Sequence, residues 1–202
     1  MGSDPSRREL LRRAITAGAV GVAGSALRSP ARALGAASAS SSDAAEVGRL
    51  LRFELLVGFV YQHVLASSIL SGDARKAVEQ LGVQERAHVS ALSVALDRLG
   101  GTPPAGPANI AAADKDLAGR RVSGRLGQLR GGRDALRLLL ALEHVAEGAY
   151  YGSMTALGDP KLLRLSAEIM GSEAQHVTVI FVLLHPGELT QAVPYAFVQG
   201  RR

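Results

Sequence analysis

Four stretches of the chain pair a glutamate with a second residue that could share its chemistry. "FELLVGFVYQ" holds Glu54 and Tyr61, "QERAHVSAL" holds Glu85 and His88, "LEHVAEGAYY" holds Glu143 and Tyr150, and "SEAQHVTVI" holds Glu173 and His176. On a helix, a Glu-x-x-His spacing sets a carboxyl group and an imidazole about 5–6 Å apart on one face. Residues seven apart, such as Glu54 and Tyr61, share a face as well. Glu54 and Glu85 are 31 residues apart, and Glu143 and Glu173 are 30 apart. A helical hairpin would bring the members of each pair level. Four carboxyl groups and two imidazoles would then converge, the donor set that holds two iron or two manganese ions in carboxylate helix bundles. Without metal, four acids in an apolar interior would repel and some would stay protonated. The rival reading of Glu85 and Glu173 is a solvated helix face. The chain has no Cys, so thiolate sites and disulfides are excluded.

Other polar residues have plainer expectations. Tyr61 and Tyr150 are expected to donate hydrogen bonds to ligand carboxyl groups rather than to take part in redox chemistry. Glu147 lies one turn from Glu143 and is a further candidate as ligand or neighbouring base. His63 lies about 180° round the helix from Glu54, so it is expected at the surface or in an interface. His144 points about 100° from Glu143. His185 suits a helix C-terminus, where a cation meets the dipole. Arg120, Arg121, Arg125, Arg130 and Arg133 are expected on a solvated connection.

Helices must position these groups. Asp43 or Ser42 is a candidate cap for a first helix running to about residue 71, where "SGD" turns the chain. A second runs over about 74–99 and stops at Gly100 and Gly101, before "TPPAGP". Residues 108–131 suggest a long crossover with one or two short helices. Third and fourth helices cover about 132–157 and 161–184, and an extended tail is expected to pack along them. The midpoint of Glu143 and Glu173 falls on Gly158, in the "GDP" turn. The midpoint of Glu54 and Glu85, at 69.5, falls about two residues before "SGD", an offset that a distortion at Gly82 would absorb. Two hairpins and one crossover predict an all-α four-helix bundle.

Composition agrees: 47% of the 202 residues are apolar, aromatics are 4%, and there is no Trp. The formal charge of +5 is concentrated at the start, because residues 1–39 carry six Arg against Asp4 and Glu9. No later basic face interleaves with aromatics, so nucleic acid is not an expected partner. "SRRELL", with Arg7 and Arg8, precedes a short apolar stretch over 14–27 and two A-x-A sites, at 31–33 and 37–39. This pattern resembles a twin-arginine export signal; the bland alternative is a disordered basic arm. Residues 1–39 are therefore expected to be signal and low-complexity linker, and 40–202 the bundle.

Over roughly residues 44–198 the chain resembles the ferritin-like superfamily, specifically its exported, twin-arginine-tagged members. "LEHVAEGAYYG" is similar to that family's third-helix motif, and "VPYAF" to its tail. Carried over by residue, the resemblance implies Glu54, Glu85, His88, Glu143, Glu173 and His176 as metal ligands. His144 and Glu147 depart from the usual pattern. The implied activity is di-iron oxidase or ferroxidase chemistry with dioxygen or peroxide, or a di-manganese variant, with no catalytic residue assigned beyond the metal site. The alternative is a non-catalytic, protective exported bundle whose metal is structural or absent. The implied location is the periplasm, cell envelope or exterior, reached through the twin-arginine machinery. Cage-type storage is disfavoured by the tail, and a smaller homo-oligomer is left open.

Overall fold

The structure, a computed structural model, describes residues 30–188 and residue 192. The chain divides into two compact units, Met1–Leu34 and Gly35–Arg202; the packing described below belongs to the second. Among the described residues five α-helices follow in order: α1 Pro30–Ala66, α2 Gly72–Arg98, α3 Ile110–Gly119, α4 Gly132–Ser153 and α5 Pro160–Leu184. A short 3-10 helix, Leu126–Gln128, precedes α4. No strand occurs among the described residues. The expected bundle of two hairpins and a crossover is what forms.

The sequence explains the helix ends. Gly100 takes a positive φ of 68°, and its N–H and that of Gly101 bond back to the carbonyls of Asp97 and Leu96 at 2.9 and 3.0 Å. This is the left-handed glycine cap of a helix C-terminus. Gly101 is needed for space too, since a Cβ there would lie 2.3 Å from Leu96 Cδ1. Asn109 caps α3 by accepting from the Ala112 N–H at 2.9 Å. Asp159 caps α5 in the same way through the Lys161 N–H, with Pro160 at the first helical position.

Two expectations are corrected. Asp43 does not cap the first helix: α1 begins at Pro30 and runs through it. Asp43 is instead buried, and its two carboxyl oxygens accept from the Gly158 and Asp159 N–H groups at 2.8 and 3.1 Å. One acid on α1 thereby satisfies donors in the turn that enters α5. We expect Asp43→Ala to lower stability by about 1–3 kcal/mol, the cost of leaving buried donors unpaired. A urea melt of both proteins measures it, and an unchanged midpoint would refute the assignment.

The second correction concerns the first hairpin. α1 ends at Ala66 and not near 71, so the connection centres on residue 69, beside the midpoint of Glu54 and Glu85. No distortion at Gly82 is needed, and α2 is continuous there. A Cβ on Gly82 would meet Tyr61 Cδ1 and Leu65 Cδ1 at 3.6 Å, ordinary van der Waals contact. At the start of α4, a Cβ on Gly132 would lie 2.9 Å from the Ile69 carbonyl oxygen. The crossover thus returns the chain to the end where α2 begins, making α4 parallel to α2, and α5 antiparallel to it. The expected tail lies outside the described residues except for Ala192, which is buried.

The core is in two apolar clusters. One gathers Val47, Leu50, Leu51, Leu92, Leu96, Leu162 and Ile169; the other holds Phe53, Val57, Val60, Val78, Leu139, Ala146 and Ile180. Along α2 and α5, the acids and histidines fall between the residues of these two clusters. Of the crossover arginines, Arg121, Arg125, Arg130 and Arg133 are exposed as expected. Arg120 is half-buried, its guanidinium 4.5 Å above the Phe53 ring.

Candidate metal centre

All six expected ligands are buried in the bundle. Glu54, Glu85, Glu143, Glu173 and His176 are fully enclosed, and His88 retains 7% exposure. Each helix presents its residues on the inward stripe of an amphipathic pattern. Glu54 comes from α1, Glu85 and His88 from α2, Glu143 from α4, and Glu173 and His176 from α5.

The arrangement is two-fold. His88 Nδ1 lies 3.0 Å from Glu173 Oε1, 3.6 Å from Glu85 Oε2 and 3.9 Å from Glu54 Oε2. His176 Nδ1 lies 2.8 Å from Glu85 Oε1, 3.3 Å from Glu173 Oε2 and 3.6 Å from Glu143 Oε2. Two donor groups result, Glu54–Glu85–His88–Glu173 and Glu85–Glu143–Glu173–His176, each with donor atoms within 4.8 Å of one another. Glu85 and Glu173 belong to both and give one oxygen to each. A carboxyl group split in this way could serve two cations.

The tyrosines cross over. Tyr150 donates its O–H to Glu54 Oε1 at 2.5 Å, and Tyr61 donates to Glu143 Oε1. Each tyrosine thus serves the glutamate of the other hairpin, not the one seven residues away on its own helix. The second oxygen of each acid is left to face the centre. We expect Tyr150→Phe to weaken the metal-free protein by about 1–3 kcal/mol, because Glu54 Oε1 loses its donor in a dry interior. Thermal melts read this, and no loss would mean that the bond contributes nothing.

Eight buried side-chain atoms among the described residues have no hydrogen-bond partner. They are Glu54 Oε2, both oxygens of Glu85 and of Glu173, Glu143 Oε2, and Nδ1 of His88 and His176. These are the atoms that the two donor groups aim inward. Buried polar atoms are almost always paired. Eight orphans converging on one spot therefore fit a pair of hard cations, with six oxygen and two imidazole donors.

Electrostatics carry the same message. Burial, reinforced by the charge of Glu173 and Glu85, pushes Glu54 well above the usual carboxylate range. Burial and the same two neighbours do this to Glu143. The expectation of protonated acids is met at these two. Glu173 goes the other way. Burial opposes its ionisation, but the protonated rings of His176 and His88, at ion-pair distance, outweigh it and bring Glu173 down to about 2. Burial disfavours both imidazolium ions, yet their carboxylate partners push His88 up to about 9 and His176 up to about 12. In the metal-free protein, protonated histidines stand in for the cations.

The two imidazole rings lie side by side, centroids 5.8 Å apart and planes within 19°. With α2 and α5 antiparallel, each histidine comes level with the other helix's glutamate, which draws the rings together.

A family model, the ferritin-like domain, matches residues 33–186. The chain belongs to the ferritin-like domain family. No curated protein and no solved structure matches it. Within this ferritin-like bundle the remaining candidates lie outside the two donor groups. Glu147 is half-buried, 3.8 Å from His144 Nδ1, and burial and the charge of Glu173 raise its pKa. His63 is half-buried. His185 caps α5 and stacks on Phe181 at 4.5 Å. Arg7 and Arg8 lie outside the described residues. Two functional partners escape the sequence pattern. Gln84 Oε1 and Ser172 Oγ lie 2.7 and 3.3 Å from His176 Nε2. Ser172, four residues before His176, was within reach of helical spacing; Gln84 comes from another helix.

Proposed function

We propose that this ferritin-like domain holds a dinuclear iron or manganese centre and carries out redox chemistry on dioxygen or peroxide. The observation that carries the proposal is the set of eight buried, unpartnered donor atoms converging from four helices. Two such ions, when bound, would supply electrons to a small oxidant. The chain's own residues do the rest. Glu85 and Glu173 would hold both ions, Glu54 and His88 one, and Glu143 and His176 the other. Tyr61 and Tyr150 fix the rotamers of the terminal acids. The apolar clusters on either side exclude bulk water. The slight exposure of His88 supports approach of the oxidant from that side.

The test is metal analysis of protein from its native compartment, followed by oxygen consumption with added Fe(II). Two metal ions per chain and rapid consumption are expected. Metal-free protein that neither takes up Fe(II) nor consumes oxygen would end the proposal. A non-catalytic bundle has one observation in its favour: His88 and His176 stand at ion-pair distance from Glu173 and Glu85, at 3.0 and 2.8 Å, without metal. Uptake of two metal ions with no oxygen or peroxide consumption would select that reading.

We further propose export through the twin-arginine machinery, with Arg7 and Arg8 as the recognised pair and the mature chain beginning between residues 34 and 40. Replacing both arginines with lysine is expected to retain the protein in the cytoplasm without altering its melting temperature. Exported protein that still begins at Met1 would refute the proposed cleavage.

A further inference from the structure

The two halves of the centre repeat residue by residue, Glu54–Tyr61–Glu85–His88 against Glu143–Tyr150–Glu173–His176. The residue before each Glu-x-x-His pair departs from this repeat. Gln84 precedes Glu85, but the matching residue before Glu173 is Ser172. Gln84 is long enough to cross from α2 to α5, and its Oε1 reaches His176 Nε2 at 2.7 Å. Ser172 is too short to make the reciprocal crossing to His88. It turns instead to His176 on its own helix, with Oγ 3.3 Å from Nε2 and 3.4 Å from Gln84 Oε1. Among the described residues nothing of this kind meets Nε2 of His88.

We infer that Gln84 is a positioning residue that makes the two metal positions unequal, the one at His176 tight and the one at His88 exchangeable. This rests on the dinuclear reading above. An amide oxygen can only accept, so Nε2 of His176 must carry the proton. The lone pair of the neutral ring is then on Nδ1, the atom aimed at Glu85, Glu143 and Glu173. The ring's orientation is held before metal arrives, and loss of the Nδ1 proton to the entering metal leaves the ligating tautomer already in place. His88 has no such clasp, so its ring must be oriented on binding. Full burial of His176 against 7% exposure of His88 acts in the same direction.

Gln84 is itself exposed, so its substitution should leave the fold intact, which a circular-dichroism melt checks. The test is calorimetric titration of metal-stripped full-length protein with Co(II), comparing wild type, Gln84→Leu and Gln84→Glu. Wild type is expected to bind two ions with distinct affinities. Gln84→Leu should weaken the tighter step by about 10–100-fold, as loss of such an outer partner does, and leave the weaker step in place. Gln84→Glu, which restores an acceptor, should recover the tight step. In the Zn(II)-loaded protein, a slowly exchanging imidazole N–H proton should be visible by NMR in wild type and absent in Gln84→Leu. Equal weakening of both steps, or unchanged binding with the N–H signal retained, would overturn the inference. Failure of wild type to bind any Co(II) would instead overturn the dinuclear reading, and this inference with it.

Discussion

Glu173→Gln is expected to abolish both metal positions together, whereas Glu54→Gln should weaken only the one at His88. Glu173 gives Oε1 to the His88 group and Oε2 to the His176 group, while Glu54 reaches only the first. Loss of a direct ligand should exceed the roughly 10–100-fold effect of losing an outer partner. The metal-free proteins should differ as sharply. Glu173 is the carboxylate on which both imidazolium ions rest, held down at about 2. Removing one member of a buried ion pair costs about 3–5 kcal/mol, or on the order of 10 °C in melting temperature for a domain of this size. Glu54, by contrast, is driven toward its neutral form by burial and by its acidic neighbours, and glutamine imitates that form. Metal-free Glu54→Gln should therefore melt near wild type. Melts and metal content of the two variants test this together. If Glu173→Gln keeps one ion per chain, Glu173 does not bridge.

Metal uptake should release protons and tighten steeply as pH rises. Near neutral pH the metal-free centre carries protons on His88 and His176, raised to about 9 and about 12, and burial favours protonated Glu54 and Glu143. Metal must displace them. Each proton released shifts the dissociation constant tenfold per pH unit, so with two or more released it should fall by at least about 100-fold between pH 6.5 and 7.5. Stability of the metal-free protein follows from the same groups. The histidine contributions are complete below the unfolded value of 6.5 and disappear as pH climbs through about 9 for His88 and about 12 for His176. Glu54 and Glu143 resist ionisation in the folded state but ionise freely when unfolded, so they too lower stability as pH rises above 4.5. Glu173 opposes them: its contribution is present above 4.5 and is lost as pH falls through about 2. The net slope above neutrality is downward, and the thermal gain from metal should widen there. Titrations in buffers of different ionisation enthalpy count the protons. A dissociation constant flat between pH 6.5 and 7.5 would show that metal does not compete with these groups.

Much of this protein is local, and local pattern is what a sequence carries. The three-residue spacing in "QERAHV" and "SEAQHV" places each Glu and His on one face, and the nearly equal intervals of 31 and 30 residues place the faces level. Those features determined the bundle and which acids and histidines face its interior, and the lack of Cys excluded thiolate chemistry. The glycine stop after α2 was equally legible, because only glycine takes the positive φ that ends a helix in this way.

Direction and reach between helices are not local, and the tertiary structure decided them. Residues 67–71 close the first hairpin earlier than the "SGD" signal suggests, because Ile69 and Leu70 pack against the start of α4. Asp43 read as a cap for its own helix; the fold brings the Gly158 turn to it, 115 residues away. Each tyrosine shares a helix face with one glutamate yet bonds the other, since α1 and α4 run antiparallel and offer their side chains crosswise. The rings of His88 and His176 lie side by side for the same reason, in α2 and α5. Gln84 on α2 fixes a ring on α5 only because the crossover sets those helices in opposite directions at hydrogen-bond distance. Periodicity tells which residues face inward; the direction of each neighbouring helix tells which of them meet.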